Sequence, residues 1–300
     1  GYVMLVRGPI MAIGSLTSVL QKGFASLERM EEFFELPQEE IQEQVGRLPL
    51  EDIHIQGLNF AYATSKEPIL KDVSMHIPKG SFIGIVGGPG SGKSTLFKLL
   101  LDIQHAPKDS IHFGATDIQD IPLSTLRHSI AYASSTPSLL SVSIRDNIQF
   151  GYTKGKDLSM TIEEAAQRAG LFRDLEERIE GNRKYDHLEE GGTDVSGGQR
   201  QRISLARAFF KDAPYLLLDD AFSALDAHSL CHILDTLRSN TEQTIICISQ
   251  RLEALEGADC IYVFHEGHIV ESGTHSELLQ QKGMYHQLVM LQKRGDSHEN

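Results

Sequence analysis

Three short stretches carry residue types whose spacing suits phosphate chemistry. The first is GGPGSGKST, residues 87–95, which fits the pattern G-x-x-x-x-G-K-[ST]. Gly87, Gly88, Gly90 and Gly92 let backbone N–H groups wrap around phosphate oxygens, with the hydroxyls of Ser91 and Thr95 alongside. Lys93 is placed to reach the β- and γ-phosphates of a nucleotide, and Ser94 to offer its hydroxyl to Mg²⁺. The second is YLLLDD, residues 215–220, an apolar run that ends on two carboxylates. Asp219 is then a candidate Mg²⁺ holder, though an Asp at a strand end also caps turns. The third is VSGGQ, residues 195–199, where Ser196, Gly197, Gly198 and Gln199 begin a helix and give a second phosphate-ready N-terminus. One nucleotide cannot use both helix ends from the same direction.

These residues need an alternating scaffold. SFIGIVG (81–87) reads as a short buried strand before the glycine loop, and KSTLFKLLL (93–101) as the helix behind it. DIHIQGLNFAY (52–62) and VSMHI (73–77) show strand alternation; SIAYAS, YLLLD, QTIICIS and CIYVFH are further strands. QRQRISLARAFF, AHSLCHILDTLR, residues 161–180 and a tail from about Ser276 read as helices. Strands alternating with helices imply an α/β domain with a mostly parallel sheet. Residues of roughly 139–205 contain no convincing strand and read as an inserted helical subdomain.

Before this domain the pattern differs. Leu16, Val19, Leu20, Phe24, Leu27 and Phe34 form one helical stripe, Pro37 stops it, and Glu28, Glu31, Glu32, Glu35, Glu39, Glu40 and Glu43 make an acidic stretch around it. The boundary falls near residues 37–50. The first twenty residues are rich in apolar side chains, but Arg7, Gly8 and Pro9 interrupt them, and neither run reaches the roughly 18 residues of a membrane span. They read either as the inner end of a span or as an ordinary helix without its packing partner. A chain beginning at Gly1 is expected to be a piece of something longer. A net charge of −13 with no Lys/Arg block excludes a phosphate-backbone binding face, so no nucleic-acid partner is expected. Cys231, Cys247 and Cys260 form no CxxC pair and read as small buried apolar residues in a reducing compartment.

The serine-glycine-glycine-glutamine stretch, with the loop at 87–95, resembles the ATPase domain of ABC transporters over about residues 50–295. That resemblance implies a P-loop NTPase core with a mostly parallel sheet, an antiparallel β subdomain and the helical insertion, all within residues 49–300. It implies that Ser196–Gln199 contact the γ-phosphate of ATP held by an opposite subunit, two domains enclosing two ATP molecules. Tyr62 lies where the family stacks an aromatic ring on adenine, and Asp226 where it links the two sites. FHEGHIVESGTHSELL is similar to the family's C-terminal hairpin and helix. The segment 9–37 resembles the last transmembrane helix of the family's exporters, so residues 1–48 are expected to be the end of that helix and a linker. The membrane is then a partner through a missing transmembrane domain, and the ATPase domain lies on the cytoplasmic face of the cell membrane.

Three positions depart from the family pattern. Asp220 stands where the family has a catalytic Glu, and losing one methylene withdraws the carboxylate by about an ångström, a misplacement worth about 10²-fold. Gln250 stands in place of a histidine and cannot carry a proton to the γ-phosphate. Ser135 stands in place of a Gln that reaches Mg²⁺ and the attacking water. The residues that hold ATP and Mg²⁺ are intact, while the catalytic positions Asp220, Gln250 and Ser135 are altered. This resembles the degenerate half of heterodimeric bacterial multidrug exporters, whose partner is a second half-transporter. Other readings are a homodimeric exporter with a slow but working site, a soluble regulatory ATP-binding clamp, and a DNA-repair or translation ATPase. The last usually carries two ATPase domains or a coiled-coil insertion that this chain lacks.

Overall fold

The computed structural model describes residues 2–35, 46–65, 67–150, 160–171, 195–238 and 242–296. The stop at Pro37, the acidic residues Glu39, Glu40 and Glu43, and the helical reading of 172–180 lie outside the described residues. The chain divides into two compact units, Gly1–Ile41 and Gln42–Asn300.

The first unit contains helix α1, Tyr2–Phe34. It starts well before the apolar stripe and does not end at Pro9. Its polar residues turn back on the helix: Ser15 Oγ donates to Ala12 O at 2.8 Å and Thr17 Oγ1 to Ile13 O at 2.8 Å. The stripe from Leu16 to Phe34 is exposed. Among the described residues no helix is long and apolar enough to cross a membrane.

The second unit holds two sheets. The smaller has the order β2-β1-β4-β5 and is antiparallel, built from β1 (Ile53–Phe60), β2 (Leu70–Ile77), β4 (Ile111–Phe113) and β5 (Thr116–Asp117). The larger has the order β10-β9-β3-β8-β7-β6. Its members are β3 (Phe82–Gly87), β6 (Ile130–Ser134), β7 (Tyr215–Asp219), β8 (Thr244–Ile248), β9 (Cys260–His265) and β10 (His268–Gly273). Only the β9–β10 pairing is antiparallel. The helices are α2 (Lys93–Leu100), α3 (Leu123–Ser129), α4 (Ile144–Gln149) and α5 (Ile162–Arg168). They continue with α6 (Gly197–Lys211), α7 (Ala227–Arg238), α8 (His275–Gln281) and α9 (Met284–Asp296).

The larger sheet is covered on both faces, which is why its strands read as unbroken apolar runs. Ile83, Ile85, Leu217, Ile246 and Ile248 point into one core with Leu96, Phe97 and the inner face of the smaller sheet. Phe82, Val86, Leu216, Leu218, Ile245 and Cys247 point into the other, with Ile203, Leu205, Phe209, Ile233 and Leu278. Successive residues of one strand thus serve opposite cores. Cys247 is buried, as its sequence context led us to expect, whereas Cys231 departs from that expectation and is exposed. Tyr215 is fully buried, yet its hydroxyl accepts from Glu51 N at 3.0 Å and faces the carbonyls of Pro49 and Glu51 at 3.1 Å. That contact fastens the entrance of β1 to β7 of the larger sheet.

Candidate functional site

β3 delivers the chain to Gly87, where a side chain would collide with the carbonyl of Phe264 on β9. The loop then turns through Gly90 and Gly92 at positive φ. Gly92 is the N-cap of α2 at φ 100°, a left-handed conformation, with Leu70 Cδ2 2.6 Å from where a Cβ would stand. No side chain caps α2. Its first N–H groups are therefore available to a ligand, and the dipole favours an anion there. Lys93 turns into this loop: its ammonium donates to Gly87 O at 2.8 Å, Gly88 O at 2.8 Å and Ser91 Oγ at 3.1 Å. Burial holds its pKa below the usual lysine range, opposed by the carboxylates of Asp219 and Asp220.

The parallel register carries Asp219 to the carboxyl end of the sheet, opposite Ser134 and Ile248. Ser94 Oγ donates to Asp219 Oδ1 at 3.4 Å and Tyr132 OH to Asp219 Oδ2 at 3.4 Å. Burial pushes the Asp219 carboxyl up from its ordinary value, and these hydrogen bonds partly offset it. The same neighbourhood pushes Tyr132 up to about 12, chiefly through burial and then through the Asp219 charge. Asp220 follows at φ 50°, a left-handed conformation that Asp tolerates better than most residues. Its N–H donates to Ile248 O at 2.8 Å, and its Oδ1 accepts Gln250 N at 3.2 Å.

The residues singled out in the sequence therefore fall into separate groups. Ser94 and Asp219 meet. Gly87, Gly88, Asp220 and Gln250 line one cavity of about 450 Å³, with Arg251 and Gln292 at its wall. Gly90 to Thr95 and Ile69 line another of about 210 Å³. Tyr62 stands beside the start of α2, its hydroxyl 3.3 Å from Thr95 Oγ1 and the Lys98 ammonium 5.6 Å from its ring centroid. Ser135 lies one residue beyond β6, and the contact recorded for it is through its backbone, Gln201 Nε2 to Ser135 O at 3.4 Å.

Ser196 to Gln199 line neither cavity. They form a capping box on α6: Ser196 Oγ accepts Gln199 N at 3.2 Å, and Ser196 N donates to Gln199 Oε1 at 2.8 Å. Gly198 packs so closely that a Cβ would stand 2.8 Å from Ala224 O. Asp226 caps α7, its Oδ1 accepting Ser229 N at 2.8 Å.

Sequence reasoning missed Tyr132 and Gln201. Gln201 is buried and ties three segments together: it donates to Ser223 Oγ at 2.7 Å, accepts Ala224 N at 2.8 Å and reaches Ser135 O. A glutamine on the buried face of an amphipathic helix was the available signal. For Tyr132 it was strand parity, since Ala131 and Ala133 are buried and Tyr132 must point the other way.

The ABC transporter family model matches residues 70–223. The ATP-dependent lipid A-core flippase of Coxiella burnetii is 37% identical over 295 residues, 97% of this chain and 49% of that protein. The probable multidrug resistance ABC transporter ATP-binding/permease protein YheI of Bacillus subtilis is 36% identical over 287 residues, 95% of this chain and 48% of that protein. The chain spans about half the length of these curated relatives. A bacterial Atm1-family ABC exporter with ATP bound superposes with a TM-score of 0.79 at 28% identity, over 91% of this chain and 48% of that one. With the phosphate-type loop on β3 and α2, the acid pair at the end of β7 and the matching family model, the chain belongs to the ABC transporter family and carries its ATP-binding domain.

Proposed function

We propose that this chain is the ATP-binding part of an exporter half-transporter whose own site holds Mg·ATP but turns it over slowly. Its signature, Ser196–Gln199, completes the site of a second, different half-transporter. The assembly couples ATP hydrolysis to transport across the cell membrane, with this domain on the cytoplasmic face, and its relatives' names point to a cargo of the lipid or drug class.

The loop residues 87–95 hold the triphosphate, its oxygens replacing the three acceptors that Lys93 has within its own loop. Ser94 and Asp219 offer hard oxygen donors 3.4 Å apart, wider than the cis separation of about 2.9 Å in an octahedral Mg²⁺ shell, so the residue types fit that ion and a closure of about 0.5 Å, or a bridging water, would bring both to it. When bound it neutralises charge on the β- and γ-phosphates. Tyr62 presents its ring to adenine beside α2.

One observation carries the slow-site reading: Asp220 Oδ1 already accepts the backbone N–H of Gln250 at 3.2 Å, a contact that holds the short carboxylate back at the end of the sheet. A short carboxylate held by a backbone N–H from the neighbouring strand's loop is poorly placed to accept a proton from water, and neither Gln250 nor Ser135 brings an ionisable group to assist it. The test is ATP turnover of the assembled pair after the partner's catalytic carboxylate has been removed. Asp220→Glu, Gln250→His and Ser135→Gln together should raise turnover from this site, and each alone far less, because such groups act as a unit. No gain from the triple variant would sink the slow-site reading. Full turnover by two copies of this chain would replace it with a homodimer.

A further inference from the structure

We propose that Asp52, His54 and His76 form a binding site for a divalent transition-metal ion on the outer face of the antiparallel sheet, separate from the nucleotide site. The pleat brings them together. Ile53, Ile55, Met75 and Ile77 point into the core, so Asp52, His54 and His76 share the opposite face. The register of β1 on β2 sets His54 directly across from His76. Their rings lie 4.7 Å apart, stacked at 11°. His76 Nε2 is 2.9 Å from Asp52 Oδ2, and one donor atom from each residue lies within 4.8 Å of the others.

The donors are held in place. Asp52 Oδ1 accepts Lys79 N at 3.0 Å, which leaves Oδ2 facing the imidazoles. The backbone of His76 is pinned on both sides by Tyr262, which donates to His76 O at 2.9 Å and accepts His76 N at 3.3 Å. Two imidazoles and a carboxylate suit Zn²⁺, Ni²⁺ or Cu²⁺, whereas Mg²⁺ and Ca²⁺ prefer oxygen. Zinc–ligand bonds of about 2.0–2.1 Å put tetrahedral donors about 3.3 Å apart, so the two rings need only close by rotation, with water filling the fourth position.

A second cluster on the same sheet, Asp109, His112 and Asp117, makes the contrast. Asp117 is buried, and its oxygens already accept Asp109 N at 2.5 Å and Gln119 N at 2.7 Å. Those carboxylate oxygens serve a turn.

The experiment titrates the chain with Zn²⁺ by calorimetry, with Mg²⁺ as the control ion and melting in chelator as the check on folding. The expected result is one Zn²⁺ per chain with micromolar affinity and a melting temperature raised by Zn²⁺. His54→Gln and His76→Gln should each weaken binding by more than the about 10–100-fold that loss of a supporting residue costs at metal sites. Both variants should melt like the parent in chelator, because both side chains face outward. His112→Gln and Cys231→Ser should bind as the parent does. Unchanged affinity in His54→Gln and His76→Gln overturns the site, as does loss of binding in His112→Gln or Cys231→Ser.

Discussion

Helices α2 and α6 both begin at glycine-rich turns, and both are proposed to meet phosphate, but they are finished differently. The start of α2 has Gly92 in a left-handed conformation and no side chain over its N–H groups. The start of α6 has Ser196 in an extended conformation and a closed capping box with Gln199. An uncapped N-terminus inside a folded chain waits for an external acceptor, and its own chain bears the cost until one arrives. A boxed N-terminus is already stable. In α6 the box uses the N–H of Ser196 and of Gln199, while the N–H groups of Gly197 and Gly198 find no acceptor among the described residues. On the proposed reading, α6 keeps donors for a second molecule without needing one to fold, and α2 is built around its own ligand.

The largest effect that bears on this difference is Ser196→Arg. The bulky side chain would block approach to the helix end and remove a hydroxyl donor. Loss of one donor to developing charge costs about 2.7–4 kcal/mol, about 10²–10³ in rate. Turnover of the assembled transporter should collapse while ATP binding to the loop at 87–95 persists; turnover at the parent rate would break the assignment of α6 to a partner's nucleotide. Next is Lys93→Ala. A hydrogen bond between charged groups is worth about 1.5–3 kcal/mol, so affinity for Mg·ATP, measured with a fluorescent nucleotide, should fall about 10–150-fold. Equal affinity would mean that α2 is not the nucleotide's helix.

A smaller effect concerns Asp219, whose carboxyl is pushed up mainly by burial. An acid whose pKa is higher folded than unfolded binds its proton more tightly in the fold. Its contribution to stability is therefore favourable at low pH and is lost as pH rises from the ordinary value of 3.8 through the raised one. Asp219→Asn should then melt higher than the parent at neutral pH without nucleotide, by about 2–4 °C for each kcal/mol relieved, and the gap should close as pH falls below 3.8. The same variant should lose Mg²⁺-dependent ATP binding. A lower melting point at neutral pH would show that the Ser94 and Tyr132 contacts outweigh burial.

Much of this was legible because period and punctuation agreed. AHSLCHILDTLR is α7 and CIYVFH is β9, residue for residue. The central strands announced themselves as apolar runs because both faces are covered. The short elements did not. β4 and β5 span three and two residues, too few to show alternation, and are fixed by pairing, β4 with β1 and β5 with β4, rather than by their own pattern. Helices α3 and α4 have seven and six residues, less than two turns, so no periodicity accumulates. In the site, the loop and the acid pair followed from spacing, whereas the engagement of Asp220 by Gln250 N depends on a contact thirty positions apart in the chain. No local rule predicts such a contact.

The smallest effect tests the cap itself, in the chain alone and without nucleotide. Ser196→Ala removes the acceptor for Gln199 N and leaves Gln199 with half of its box. Loss of an N-cap serine costs about 1 kcal/mol, so the free energy of unfolding should fall by that amount, lowering the midpoint of chemical denaturation at an unchanged slope. Gln199→Ala, which removes only the acceptor for Ser196 N, should cost about 0.5–1.5 kcal/mol, an ordinary hydrogen bond. At α2 no side chain performs this role, so the corresponding stabilisation should come from the ligand: Mg·ATP at 100 times its Kd adds about 2.7 kcal/mol. That increment should be the same in Ser196→Ala as in the parent and should fall to about 0.3–1.4 kcal/mol in Lys93→Ala at the same nucleotide concentration. If Ser196→Ala leaves the nucleotide-free midpoint unmoved, α6 is not held by its box. If it removes the ATP increment instead, the two helix ends are not independent, and the division between a self-capped donor and a ligand-capped receiver fails.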